Sequence, residues 1–330
     1  MSRRLPWAAM ARMTGRRTLA AVPVLLGVTL AVFAVAAASP FDPVKAYAGT
    51  AGLTASQENL DQLRANLGVD RPWPAQWWDW LTRALQGDLG DSGVMRQPVA
   101  DVVAERLGWS ALLAATAFLV AIALGTGLGV LAGRRRGGLL DRAVSSLAYT
   151  LEAAPAFWLG LLAVWFFALK LGALPAGGLT DTASDTVTAG QVATHLVLPA
   201  LVLGISQLPW FFLYVRQGVG DALEEDPVRG ARARGLSERT VLTGHALRSG
   251  LLPVLTLVGS RVPELITGAL LVETVFSWPG IAAATVQAAV SADFPLLAAL
   301  TVLATAAVLL GNLLSDLLYG LADPRVGFDG

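Results

Sequence analysis

The sequence predicts an all-α integral membrane protein with six transmembrane helices, and three observations carry that prediction. Hydrophobic residues fill 55% of the 330 positions and charged residues only 15%, and the charges gather in a few stretches. A soluble domain of this size spreads its charges over every helix-length window. Between the charged stretches lie nearly charge-free windows of about 20 residues or more, each able to cross roughly 30 Å of hydrocarbon at about 1.5 Å per residue. These windows are continuous rather than alternating in polarity, which favours helices over a barrel, since backbone N–H and C=O groups cannot stay unpaired in lipid. The chain has no cysteine, which excludes disulfide staples, thiolate nucleophiles and cysteine metal sites together. Formal net charge is zero, so nothing global points to nucleic acid as a partner.

Residues 1–17 form a tail bearing Arg3, Arg4, Arg12, Arg16 and Arg17, and the first span occupies 18–39, with Asp42 beyond it. The positive-inside rule places the N-terminus in the cytoplasm. The end of that run, Ala36-Ala37-Ala38-Ser39, resembles a signal-peptidase site, but the run is longer than the roughly 7–15 residues of a secretory apolar region. It is expected to stay as a helix, and either reading exports the segment beyond it.

Residues 40–106 are too long and polar for a simple connection and predict a small helical insertion outside the cytoplasm. Thr54 to Gln57 has capping-box spacing, Leu60, Leu63 and Leu67 share one helical face, and Gly68 is placed to end that helix. A second helix is expected from near Pro74 to Gly87. Its Trp73, Trp77, Trp78 and Trp80 suit either the membrane boundary or the core of the insertion itself.

A permease core then occupies 107–322, with spans at about 107–133, 143–169, 195–215, 251–272 and 294–318. Arg134, Arg135, Arg136 and Arg142 follow the second span and belong inside, whereas the exit loop of the third, 170–194, holds Asp181 and Asp185 and no arginine. The fourth span is expected to bend or break near Pro199 and Pro209. The segment 216–250 is rich in arginine and therefore cytoplasmic, as is the tail 323–330. Six spans with both termini inside accommodate every arginine cluster.

The cytoplasmic segment carries the sharpest signals. Asp226 suits an N-cap, Pro227 the first helical position, Arg232 and Arg234 the negative end of the helix dipole, and Gly235 a left-handed stop. Together they predict a helix of about two turns. Ser237 caps a second helix that runs through His245 and Arg248 to Gly250. A short, charged, sharply delimited helix between two spans is a shape for docking another protein. An amphipathic helix lying on anionic lipid is the alternative, and the acidic cluster Glu224, Glu225 and Asp226 argues against it.

The run Glu225-Asp226, Val228-Arg229, Ala231-Arg232-Ala233, Gly235-Leu236, His245 to Arg248 and Leu252-Pro253 closely resembles the coupling loop of the dipeptide, oligopeptide and nickel permeases of ABC importers. The blocks 67–72, 87–92, 157–160, 273–280 and 323–325 resemble that family in the same order, including the insertion typical of the first of its two permease subunits. The resemblance implies a type I importer permease fold (MetI-like). It also implies a second homologous permease subunit, two ATP-binding cassette subunits and an extracytoplasmic solute-binding protein as partners, in the bilayer of the cell membrane. Glu225, Asp226, Arg229, Ala231, Arg232, Gly235 and Leu236 are then the residues that couple to the ATPase. Two departures stand out: Pro227 replaces a usual aromatic residue, and Gly230 replaces a usual threonine, weakening a helix by about 1 kcal/mol relative to alanine. The implied solutes are dipeptides or oligopeptides, with nickel complexes or glutathione as the alternative.

The residues support a division of labour on their own. The only lysines are Lys45 and Lys170, neither preceded by glycine, so the chain has no phosphate loop and is not expected to be an enzyme or to bind a cofactor. His195, read as interfacial, and His245 lack partners at metal-ligand spacing, so no metal is expected. Glu152 in the third span, with Arg261 and Glu264 in the fifth, would each cost about 2.5–3.5 kcal/mol if placed singly at mid-membrane. Arg261 and Glu264 share a helical face. They are expected either to line a translocation path for a zwitterionic or charged solute or to fix helix packing as an ion pair. Two other classes fit less well. An intramembrane serine protease needs a second glycine after Gly259-Ser260 and a later histidine, and an ion-coupled carrier needs a counterpart to the proline-bearing fourth span.

Overall fold

The computed structural model describes residues 7–39, 44, 48, 56–67, 70–180, 186–251, 254, 257–258 and 260–322. The helices are α1 (Trp7–Ala38), α2 (Gln57–Leu67), α3 (Trp73–Ala84), α4 (Val99–Gly133), α5 (Leu139–Ala153), α6 (Ala156–Ala163), α7 (Ala189–Glu224), α8 (Asp226–Ala233), α9 (Glu238–Val241), α10 (Leu247–Gly250), α11 (Val262–Val275), α12 (Ile281–Val290) and α13 (Phe294–Ala322). A wider π turn, Val164–Lys170, extends α6, and another, Leu242–Ala246, joins α9 to α10. Strands β1 (Asp91–Ser92) and β2 (Gln97–Pro98) pair antiparallel in a hairpin too small to alter the helical class.

Among the described residues, four helices have the length and composition to cross a membrane: Met10–Ala38, Val99–Gly133, Ala189–Glu224 and Phe294–Leu317. The fifth candidate departs from expectation. Residues 143–169 do not form one straight span but two helices, α5 and α6, that meet at 106°. Pro155 is the cause: it pushes Ala154 into extended backbone (φ −86°, ψ 126°) and offers no N–H to continue α5. Conversely, Pro199 and Pro209 do not break the fourth span, because α7 runs through both. Each proline removes one hydrogen bond, and close packing of the buried residues around them holds the rest of the helix. The fifth expected span, 251–272, is helical over Val262–Val275, while 252, 253, 255, 256 and 259 lie outside the described residues.

Other boundaries shift for local reasons. Helix α4 begins at Val99, eight residues before the expected span, since Asp101, Glu105 and Arg106 belong to a helical stretch too polar for hydrocarbon. Helix α7 starts at Ala189, six residues before the expected span, on a capping box: the Gln191 N–H donates to Thr188 Oγ1 (3.4 Å), and the Thr188 N–H to Gln191 Oε1 (3.2 Å). His195 is therefore in the second turn and buried within the chain, its Nδ1 paired with the Gln191 carbonyl (2.9 Å). Thr54 and Gly68 lie outside the described residues, and Ser56 caps α2 by accepting from the Asn59 N–H (3.3 Å).

The chain divides into two compact units. One contains residues 15–110 and 279–309. Its core joins Val99 and Val102 to Ala284, Ala288, Leu296 and Leu300. Trp80 is buried against Phe33, and Trp77 donates Nε1–H to Thr29 Oγ1 (3.0 Å), so these two tryptophans of α3 build the unit's core while Trp78 stays exposed. Buried Asp293 ties the hairpin to the start of α13, accepting from Ser92 Oγ (2.6 Å) and the Val94 N–H (3.1 Å) at one oxygen and from the Leu296 N–H (3.3 Å) at the other.

The other unit contains residues 111–278. Gly125, Gly129 and Gly133 recur every fourth residue on α4, and α7 packs directly on that ridge. A Cβ added to Gly129 would lie 2.7 Å from Val215 Cβ, and one on Gly133 would lie 2.8 Å from the Arg216 carbonyl oxygen. Small residues at this spacing let two membrane helices approach to backbone contact.

Candidate functional site

The expected docking helix is α8, and its sequence dictates both ends. The Glu225 carbonyl accepts the first helical bond, from the Arg229 N–H (3.1 Å), so Glu225 is the cap and Asp226 already helical, one residue earlier than the sequence suggests. Pro227 lies in the first turn, where its missing N–H costs nothing. At the other end Gly235 takes φ +78°. The Gly235 N–H then donates to the Arg232 carbonyl (2.9 Å) and the Leu236 N–H to the Ala231 carbonyl (3.3 Å), the paired bonds of a Schellman stop. Arg234 Nε adds a bond to the Gly230 carbonyl (3.3 Å).

This helix has two faces. Val228 and Ala231 are buried in one apolar cluster with Val219 and Ala222 of α7 and Val241, Leu242 and Ala246 of the following turns. Glu225, Asp226, Arg229, Arg232, Gly235 and Leu236 lie on the exposed side, whereas Ala231, the remaining expected coupling residue, belongs to the base. Asp226 and Arg229 approach to 3.9 Å; Asp226 is almost fully open to solvent and Arg229 is largely so.

Two features hold this platform in place, one local to the Gly235 turn and one between positions far apart in sequence. Arg232 grips Glu238 with Nε (2.8 Å) and Nη2 (3.1 Å), bridging the Gly235 turn. That bidentate pair raises the Arg232 pKa and lowers that of Glu238. Gly218 and Gly250 cross backbone to backbone, a Cβ on Gly250 falling 2.9 Å from the Gly218 carbonyl oxygen, which pins α10 to α7. Nearby, Arg136 lies over Gly220 and donates to the Gln217 carbonyl (2.6 Å) and Asp221 Oδ1 (2.9 Å). Arg216 holds buried Asp141 through Nε and through Nη2 (2.8 Å).

The Arg261 and Glu264 side chains, the expected path pair, do meet as an ion pair. The Arg261 guanidinium carbon also lies over the ring of Trp210 of α7, 3.5 Å from its centroid. Glu152 is exposed in the last turn of α5, two residues before the break. Among the described residues no cluster of His, Cys, Asp and Glu is disposed to hold a metal.

The family description "Binding-protein-dependent transport system inner membrane component" matches residues 125–328, and that of the N-terminal part of such membrane components matches residues 10–113. The chain belongs to this family. It is thus a multi-pass inner-membrane component of a transport system, a permease subunit and not an enzyme. Its system works with a binding protein and with ATPase partners, as the family does in general. Relatives match over nearly all of this permease. A putative peptide permease of Brucella suis is 37% identical over 311 residues, covering 94% of this chain and 97% of its own. The oligopeptide transport system permease AppB of Bacillus subtilis is 34% identical over 314 residues (95% and 98%). The dipeptide transport system permease DppB of Escherichia coli is 35% identical over 331 aligned residues (94% and 97%).

Proposed function

We propose that this permease imports dipeptides or oligopeptides, pairing with a second homologous permease to form one path, above two ATPase subunits and below an extracytoplasmic binding protein. Relatives named for dipeptide and oligopeptide transport, similar along nearly the whole chain, support the solute class. The coupling role rests on a single observation: the charged face of α8 is open while its apolar face shares a core with α7. A push on Glu225, Asp226, Arg229, Arg232, Gly235 or Leu236 therefore reaches a long membrane helix through packed side chains rather than through a loose loop. In this reading the bent pair counts as one span and 251–272 as another, giving six. Residues 40–106 lie outside the cytoplasm, 216–250 and both tails inside, and Arg261 with Glu264 lines the path.

Charge reversal at two exposed positions, Asp226→Arg with Arg229→Glu, tests the coupling role. The ATPase subunits should no longer co-purify with the permease, and ATP-driven uptake of a labelled dipeptide should cease. Retention of both after deletion of residues 226–235 would overturn the assignment, and uptake by the permease chain alone would overturn the ATP-driven reading.

A further inference from the structure

Resting on the peptide-import reading, we propose that Gln207, Trp210, Arg261 and Glu264 form a binding site inside the membrane for a short zwitterionic peptide, with Arg261 taking its carboxylate end. A pair that only fixed packing would bury both charges and satisfy every polar atom around them. Here Arg261 is 12% exposed while Glu264 is 52% exposed. Arg261 Nε is buried with no acceptor, and Gln207, itself 8% exposed, has a buried Oε1 with no donor.

These groups lie along one seam. Gln207 and Trp210 are one turn apart on α7, and the Trp210 ring carries the Arg261 guanidinium. Across from them, Gly268 follows Glu264 by one turn of α11, and a Cβ there would sit 3.8 Å from Gln207 Nε2. That Cβ would first meet Leu203 Cδ1 (3.1 Å), so α11 packs closely on α7 at Gly268, one turn from Glu264.

The chemistry of the seam is complementary to a peptide. Glu264 holds Nη1 of Arg261, so Nε lies on the other edge of the guanidinium, which suits a carboxylate. Gln207 Oε1 accepts a peptide N–H. The half-exposed Glu264 carboxylate attracts the terminal ammonium. The two charge pairs then lie head to tail with no net charge, the arrangement least penalised in a low-dielectric interior. Nε and Oε1 are covered in this conformation, and because neither holds a partner, parting α7 from α11 breaks no hydrogen bond at these atoms. A permease that alternates access passes through such an opening.

The test uses the complete transporter in proteoliposomes with its own binding protein, importing a free-acid dipeptide, the same dipeptide amidated at its C-terminus, and an N-acetylated form. Each variant is compared with the wild type in the same assay, so selectivity of the binding protein cancels. Arg261→Gln should slow the free acid roughly tenfold and the amide less than about twofold. Glu264→Gln, at an exposed position that tolerates change, should lower the preference for the free amine over the acetylated form, and Gln207→Met should slow all three. If Arg261→Gln does not assemble, the Glu264→Gln selectivity decides. Slowing of all three forms by the same factor in both charge variants, with selectivity unchanged, would overturn the site. Failure of the wild type to import any of the three while it hydrolyses ATP would instead overturn the peptide reading.

Discussion

Arg232 and Glu238 are both exposed, and their pairing acts on geometry more than on stability, since open ion pairs are screened by water and salt. Glu238 has a lowered pKa because the Arg232 guanidinium donates two bonds to it. A depressed carboxylate contributes above its ordinary pKa of 4.5 and loses that contribution as pH falls through the lowered value, so the clasp persists at neutral pH and opens only in acid. Glu238→Gln should leave the thermal midpoint unchanged but speed hydrogen exchange at the Gly235 and Leu236 amides, and about 1 M salt should do part of the same to the wild type. Asp293 is the opposite case. It is buried with donors on both oxygens, and Asp293→Asn leaves at least one donor unmatched. Denaturation in detergent should show a loss of about 1–3 kcal/mol.

Element boundaries follow local rules wherever backbone chemistry decides them. Gly235 reads as a stop from sequence because glycine has no Cβ to strain at φ +78°, and Gly235→Val should cost about 1–2 kcal/mol and blur the end of α8 in hydrogen exchange. The break between α5 and α6 was equally legible, since Ala154-Pro155 carries the residue-before-proline constraint, yet apolar composition on both sides masked it. The capping box of α7 was legible too, in Thr188 and Gln191. The ridge of Gly125, Gly129 and Gly133 was visible only as spacing. Which helix it meets depends on Phe211, Val215 and Val219, some 86 residues along the chain. Gly129→Val would overfill that contact, and about 1–3 kcal/mol of destabilisation is expected from unfolding in detergent.

At the scale of the molecule, the docking platform lies in the unit that also holds the Arg261–Glu264 pair, while the hairpin and the tryptophan-rich helix belong to the other. Platform and pair are joined through α7, which packs on α8 at one end and carries Trp210 beneath Arg261 farther back. The proposed orientation is directly testable because the chain has no cysteine of its own. Trp78→Cys, at an exposed position of α3, should react with an impermeant maleimide on intact cells. Arg229→Cys, on the open face of α8, should react only after the membrane is permeabilised. The reverse pattern would invert the topology and remove α8 from reach of any ATPase.

Composition and short-range pattern were enough for the membrane class, the approximate places of four long apolar helices, the expectation that 216–250 is cytoplasmic, and the two ends of α8 to within a residue. All of these depend on residue content or on residues within a turn of one another. Long-range packing supplied the rest. It buried Val228 and Ala231 in one cluster with Ala121 and Val254, pinned Gly250 on Gly218 and laid Arg261 on Trp210. It also left Gln207 Oε1 without a donor. Such pairings join positions that no helical period relates, and only the packing of whole helices brings them within reach.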